Sequence, residues 1–254
     1  GGFVLWRCDP ALNPGAGGAA AAEAACVEQV AAAEHWPDLR LAVLLATTHE
    51  KRVGSTAGMQ QSVATSDLLA ARVARVPAYI EAASAAVRAR DIAALATCAM
   101  RDSNQLHAVC LDTYPPLVYM TDSGHALCAL VHAANTVAGR VVVGYTFDAG
   151  PNPVLLAEKH HMPVVLELVQ RFFPGTPTAT SGKEEEDARD KELEVALLSE
   201  EGTRRVAQEA GLTQWHEERA FASVLVSAVG AGPFAVVGDV SEDDCTLLSR
   251  PKSA

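Results

Sequence analysis

A chain of 254 residues, 49% hydrophobic and 20% charged, has the usage of an ordinary globular domain and can bury one sizeable core. Its 31 acidic and 20 basic residues leave a net charge of −11, which excludes general affinity for nucleic acid or an anionic membrane surface. An anionic small ligand is not excluded, because a single site can be locally positive within an acidic protein.

The chain opens in strand-like residues, Gly1-Gly-Phe-Val-Leu-Trp6, with no initiator methionine, and reads as a portion of something longer. Residues 9–36 are rich in Gly and Ala and predict a loop passing into a short helix around Ala19–Ala33. Asp38–His49 predicts a buried strand, and Glu34–Pro37 the cap of the loop that enters it. Glu50–Ala57 is a polar segment carrying Gly54-Ser55-Thr56. Asp67–Arg90 is a long helical pattern that Pro77 is expected to kink or divide. A second helix is expected over Asp91–Leu111, with Asp91 as N-cap or first-turn acid. In a third, Ser123–Ala138, Leu127, Leu130, Val131 and Ala134 repeat at helical spacing, and Gly139 stands at the C-cap.

Arg140–Phe147 (RVVVGYTF) is β-branched and aromatic and predicts a half-buried strand, followed by a short strand at Val154–Leu156. Met162–Phe173 predicts a helix with Pro163 near its start. Composition then changes sharply, from Pro174-Gly-Thr-Pro177 to the acidic run Glu184–Asp187. Segment 174–218 is therefore expected to be a flexible acidic insertion or linker. Phe221–Val229 predicts a strand, Phe234–Val237 is strand-like, and 241–254 is expected to be a disordered tail. One domain would thus comprise residues 1–173 and 219–240. Strands separated by clusters of helices predict an α+β fold, a mostly antiparallel sheet with one face covered by helices.

Cys8, Cys26, Cys98, Cys110, Cys128 and Cys245 form no CxxC pair and no metal-ligand spacing. Several lie in apolar helical surroundings, where a thiol behaves as a small hydrophobe. The chain reads as cytoplasmic, from a reducing compartment, with no disulfide framework. No segment reads as a signal peptide or membrane helix; the Ala-rich stretch near residue 20 is broken by Glu23 and Glu28.

Chemistry concentrates in a few places. In Tyr145-Thr-Phe-Asp-Ala-Gly-Pro-Asn152 the carboxylate of Asp148 stands where an apolar run breaks into a Gly-Pro turn. Partial desolvation there would raise its pKa and suit it to proton transfer, while Gly150 would let the backbone approach a ligand. The alternative is an Asx-turn residue satisfying turn amides. Gly54-Ser55-Thr56 before a helical segment can hold an anion, or can be an ordinary hydroxyl N-cap. Asn104 and His107 share a helix face, either lining a cleft or making buried structural hydrogen bonds. His160-His161 and the pair His125/His132 lack the HExxH pattern or cysteines of a metal centre, so no metal site is expected.

The blocks GGFVLW (1–6), HWPDLRL (35–41), VGSTAGM (53–59), SVATS (62–66), RDSNQLHAVCLDTYPP (101–116) and YTFDAGPN (145–152) share one order with the mevalonate diphosphate decarboxylases. The weaker VLVSAVGAGP (224–233) resembles that family's last strand and loop. The resemblance implies the fold of the small-molecule kinases acting on mevalonate, phosphomevalonate, galactose and homoserine, with a ferredoxin-like C-terminal domain. It implies ATP and Mg²⁺ as cofactors and mevalonate 5-diphosphate as substrate. The 3-hydroxyl is phosphorylated, then phosphate and CO₂ depart to give isopentenyl diphosphate for isoprenoid and sterol synthesis. By the resemblance, Asp148 orients or deprotonates that hydroxyl. Gly54, Ser55 and Thr56 correspond to contacts with the diphosphate, Met59 to the pocket wall, and the Ala149 amide lies beside the substrate. The resemblance implies a homodimer for the intact protein. Its N-terminal half, with the ATP loop and a lysine, tyrosine and arginine that grip substrate, has no counterpart in these blocks. The Ala-rich segment before residue 34 and the acidic stretch near 176–202 are longer than the family pattern. The chain by itself is therefore expected to be inactive. The alternatives are a related kinase that stops at phosphorylation, or a non-catalytic remnant that binds a phosphorylated metabolite or a partner.

Overall fold

The computed structural model describes residues 1–8, 25–46, 53–177, 189–212 and 220–230. Its strands are Phe3–Cys8 (β1), Ala25–Ala31 (β2), Leu39–Ala46 (β3), Val143–Thr146 (β4), Val154–Glu158 (β5) and Phe221–Ala228 (β6). Its helices are Ser55–Thr65 (α1), Leu68–Ala89 (α2), Ile92–Asp112 (α3), Asp122–Ala138 (α4), Met162–Phe172 (α5), Lys191–Leu198 (α6) and Glu200–Ala210 (α7). The α+β class is as expected. The main sheet runs β4–β5–β3–β6, antiparallel throughout, and β1 and β2 form a separate antiparallel pair.

Strand periodicity makes the core. Ala42 and Leu44 of β3 share a face and are fully buried, while Leu41, Val43 and Leu45 are half-buried on the other. The register places Ala42 opposite Leu155 and Leu155 opposite Tyr145, carrying the buried face across three strands. Leu127 and Leu130 of α4 and Val164 and Leu168 of α5 close over it. Each such side chain contributes about 1.5–3 kcal/mol by leaving water.

The predicted caps are in place. The Asp91 carboxylate accepts from the Ala94 amide at 2.9 Å to start α3, and Gly139, at φ 68°, ends α4. Pro77 sits inside α2 without dividing it. The bond it removes is tolerated because α2 lies along α3, anchored by the Arg72–Asp102 ion pair at 2.8 Å.

Three expectations are corrected. Residues 25–31 form a strand rather than the end of a helix, because β1 offers a partner and pairing overrides the strong helix preference of alanine. Trp6 and Val27 face each other across that pair and are both exposed, while Phe3 stacks on the buried Trp36 at 6.3 Å. Residues 191–210, expected within a flexible insertion, are two capped helices of the core: Leu193, Leu197 and Val206 are buried. Their acids stand in the first turns, Glu192 and Glu194 in α6, Glu200 and Glu201 in α7, where they favour the helix dipole. For these four acids the composition is thus helix patterning, while the run Glu184–Asp187 lies outside the described residues. The third correction concerns the strand expected over Arg140–Phe147, which pairs only from Val143 to Thr146. The buried Asn135 side chain holds the residues before it, accepting from the Val142 amide at 2.8 Å and donating to the Val143 carbonyl at 2.8 Å. Residues 19–24, 47–49, 178–188, 234–237 and 241–254, for which helix, strand, insertion, strand and tail were expected, lie outside the described residues.

Strand β4 is covered from both sides, so Val143, Gly144 and Tyr145 are all buried. Helix α3 meets it backbone to backbone: a Cβ on Gly144 would lie 2.6 Å from Ala96 Cβ and 2.8 Å from its Cα. Further along α3 the Ser103 hydroxyl accepts from the Phe147 amide at 2.9 Å. The Tyr145 hydroxyl donates to Asn104 Oδ1 at 2.9 Å and meets His132 Nε2 of α4 at 3.2 Å. His107 packs edge-on against the Phe147 ring, 6.0 Å between centroids. Its Nε2 is buried without a hydrogen-bond partner among the described residues. Burial lowers the His107 pKa, with the nearby His125 adding to the effect and the charge of Asp148 opposing it.

Gly144→Ala is expected to destabilise the chain by about 1–3 kcal/mol in urea unfolding, because neither the Ala96 backbone nor the strand can yield cheaply. A wild-type midpoint would refute the close approach. His107 gives a pH dependence of known sign. The unfolded imidazole takes up a proton as pH falls through its ordinary value of about 6.5, which the buried ring refuses. Its contribution is therefore present above that range and lost on acidification. Between about pH 7 and pH 5 the fall in stability should be shallower for His107→Gln than for the wild type. Parallel curves would remove His107 as its source.

Candidate functional site

Two of the sequence blocks face each other across a cavity of about 260 Å³. Helix α1 lines it with Ser55, Gly58, Met59 and Ser62, and α2 with Leu69 and Arg72. Helix α3 adds Leu106, Val109 and Cys110, the connection after it Leu117 and Tyr119, and the β4–β5 loop Ala149. Of the residues singled out from sequence, Ser55, Met59 and Ala149 line this cavity. Gly54 and Thr56 flank Ser55 at the start of α1, both exposed, and Asp148 is the exposed neighbour of Ala149 on the loop.

The start of α1 is an open helix terminus. Gly54 is the N-cap and no side chain caps it among the described residues; no acid stands in the first turn. Ser55 and Thr56 therefore do not act as ordinary caps. The first helical bond runs from the Gly58 amide to the Gly54 carbonyl at 2.9 Å, leaving the three amides before it without helical acceptors. Such a terminus attracts anions.

Helix α1 is held down along its length. A Cβ on Gly58 would meet the Tyr119 hydroxyl, so glycine lets the helix sit this close without Tyr119 having to swing aside. The buried Ser62 hydroxyl donates to Thr113 Oγ1 at 2.8 Å, because Thr113 donates its own proton to the Val109 carbonyl at 2.8 Å. Asp112 accepts from the Leu68 amide at 3.0 Å and the Ser66 hydroxyl at 2.7 Å, which together hold its carboxyl below the usual range. The blocks 62–66 and 109–114 are thus one fastening.

The loop opposite is fixed at both ends. Phe147 is held by Ser103, and Asn152 Oδ1 accepts from the Ala46 amide of β3 at 2.9 Å. Asp148 and Ala149 are presented between these anchors. The expected desolvation of Asp148 is not found: the residue lies past Thr146, where the sheet ends, and faces solvent. Arg72 at the wall grips Asp102 in a fork, at 2.8 and 3.2 Å, and also reaches Gln105 Oε1 at 3.3 Å. Tyr119, whose buried hydroxyl has no hydrogen-bond partner among the described residues, completes the wall.

Sequence reasoning missed Arg72, Tyr119 and Gly58. Only Gly58, a small residue one turn past an N-cap, left a trace. Asn104 and His107 serve the α3–β4 contact rather than the cavity. His132 likewise holds Tyr145. No group of three or more His, Cys, Asp or Glu side chains lies at the cavity among the described residues; Glu158, His160 and His161 cluster at the opposite end of β5. Cys98, Cys110 and Cys128 are free thiols, and burial pushes Cys128 up to about 11. Among the described residues no helix is long and apolar enough to cross a membrane.

Comparison with known proteins shows the family. Residues 41–236 match a family model described as the mevalonate 5-diphosphate decarboxylase C-terminal domain. The diphosphomevalonate decarboxylase of Danio rerio is 40% identical over 201 residues, which cover 75% of this chain and 48% of that protein. The Homo sapiens protein of that name is 35% identical over 254 residues, covering 99% of this chain and 57% of its own length. Among solved structures, the mevalonate diphosphate decarboxylase from Trypanosoma brucei superposes with a TM-score of 0.66 at 27% identity, over 91% of this chain and 58% of that one. The chain spans about half the length of the curated relatives it matches. It belongs to the mevalonate 5-diphosphate decarboxylase family and carries that family's C-terminal domain.

Proposed function

We propose that this chain supplies the substrate-binding part of an enzyme that decarboxylates mevalonate 5-diphosphate to isopentenyl diphosphate. The observation that carries the reading is the meeting of the open α1 terminus and the Asp148–Ala149 loop at one mostly apolar cavity. The diphosphate sits at the α1 terminus, bound by the free amides and by Ser55 and Thr56, with Gly54 permitting close approach. The methyl-bearing carbon skeleton lies against Met59 and the apolar wall, with the Ala149 amide beside it. Asp148 accepts the proton of the tertiary hydroxyl, a weak nucleophile that needs a base within hydrogen-bond reach.

ATP and Mg²⁺ belong to the same reading, but the described residues alone do not fit them. No carboxylate lines the cavity, and Arg72 is already forked to Asp102. A cytoplasmic location and a homodimer complete the proposal, supported by the family and by the free thiols of Cys98, Cys110 and Cys128.

The test joins residues 1–254 to the N-terminal portion of a curated relative and follows labelled CO₂ and olefin. ATP-dependent release of both is expected, and none from the 254-residue chain alone. Asp148→Asn should lower kcat about 10²–10⁴-fold with a smaller change in substrate affinity. Full turnover by that variant would remove Asp148 from the mechanism, and a phosphorylated product without CO₂ would make the activity a kinase. Ser55→Ala deletes a hydrogen bond to a charged group worth about 1.5–3 kcal/mol, so KM for mevalonate 5-diphosphate should rise roughly 10–100-fold while kcat holds.

A further inference from the structure

At the end of β5 away from the cavity, the turn Glu158-Lys-His-His161 gathers three metal-ligating side chains. His160 Nε2 lies 3.6 Å and His161 Nδ1 4.0 Å from Glu158 Oε2, and the three ligand atoms all fall within 4.8 Å of one another. Two ligands bonded at about 2.0–2.1 Å to one tetrahedral ion stand roughly 3.3 Å apart, so small side-chain rotations would close the set.

His161 supplies the independent observation. Its side chain is 5% exposed, and its Nδ1 is buried without a hydrogen-bond partner among the described residues. The other ring nitrogen, Nε2, lies 3.2 Å from Asp190 Oδ2 and 3.5 Å from Arg140 Nη2; with Nε2 donating across the shorter of these contacts, to Asp190, the lone pair is left on Nδ1. That lone pair faces the Glu158 carboxylate. Two acceptors 4.0 Å apart, the imidazole buried and the carboxylate half-buried, with no proton between them, are an arrangement a cation relieves.

The support behind His161 is rigid. Asp190 accepts from Arg140 at 3.0 Å and, through Oδ1, from the Leu193 amide at 3.0 Å; its own amide donates to the His160 carbonyl at 3.0 Å. The charge of Arg140 is thereby met by Asp190. A carboxylate behind a histidine orients the ring and raises its basicity as a ligand. The His160 side chain, 44% exposed, leaves a path for entry and a face for water as the fourth ligand.

We propose that Glu158, His160 and His161 bind one divalent ion of the zinc class, with Asp190 orienting His161 from behind. Two imidazoles and one carboxylate favour zinc over Mg²⁺, which demands oxygen ligands. The ion would tie the end of β5 to the start of α6, through Asp190, and does not depend on the proposed decarboxylase chemistry.

The 254-residue chain, stripped with chelator and dialysed, is titrated with Zn²⁺ alone by calorimetry and in competition with a chromogenic chelator. One ion per chain at this site is expected, with a higher melting temperature and no comparable effect of Mg²⁺. His160→Gln and Glu158→Gln, both at partly exposed positions, should each weaken binding at least about 10-fold while the metal-free unfolding curve stays unchanged. Asp190→Asn keeps a competent helix cap and should weaken binding about 10–100-fold. No binding of Zn²⁺, or binding that His160→Gln and Glu158→Gln both leave intact, would overturn the proposal.

Discussion

The contact on which the rest of the structure depends is the backbone approach of α3 to β4 at Gly144. A helix axis can lie that near a strand only where a side chain is missing, and Ala96 opposite is the smallest side chain that still packs. Once the two backbones are in register there, Ser103 and Asn104, two turns on, fall level with Phe147 and Tyr145. The loop that follows β4 is thus aimed by a helix rather than by its own turn residues. One glycine sets the direction in which Asp148 leaves the sheet.

The cavity follows from the same helix. The side of α3 carrying Leu106, Val109 and Cys110 forms its floor, and the end of α3 holds α1 through Thr113 and Asp112. Both rims, the α1 terminus and the β4–β5 loop, are therefore referenced to one rigid element. An apolar floor lowers the local dielectric, which strengthens the pull of unpaired amides on an anion. Leaving the amides and the carboxylate at the rim, near water, would keep them uncombined for the proposed ligand. A site built this way gains preorganisation without burying unpaired charge.

How much of this was legible depended on the range over which each feature is decided. Helices α3 and α4 could be read because Asp91, Gly139 and the apolar spacing act within a turn or two. Strand β2 could not, since alanine-rich sequence points to helix and its partner lies across a long connection. Helices α6 and α7 were concealed by their own N-terminal acids, which composition reads as solvation and geometry reads as dipole matching. The residues flanking the cavity were found as local oddities, a Gly-Ser-Thr and an Asp-Ala-Gly. Arg72 and Tyr119 carried no such mark, because their place depends on where α2 and the Leu117–Tyr119 segment come to rest.

Strand β5 is the mechanical link between the two ends of the sheet. Its N-terminal end continues from Asn152 and Pro153, which bond to Ala46 and Leu44 of β3, and so carries one anchor of the Asp148 loop. Its C-terminal end carries Glu158, within reach of His160 and His161 and through them of Asp190. A strand of 5 residues is stiff when paired, and β5 is held on both sides by β3 and β4. Whatever fixes the His161 turn therefore also limits rotation of the strand that leads from the loop. The acid-rich segment joins this system at Asp190, where one carboxylate caps α6, meets Arg140 and orients His161. A stretch whose composition suggests a loose insertion ends, at its last residue before α6, in a carboxylate shared by α6, Arg140 and His161.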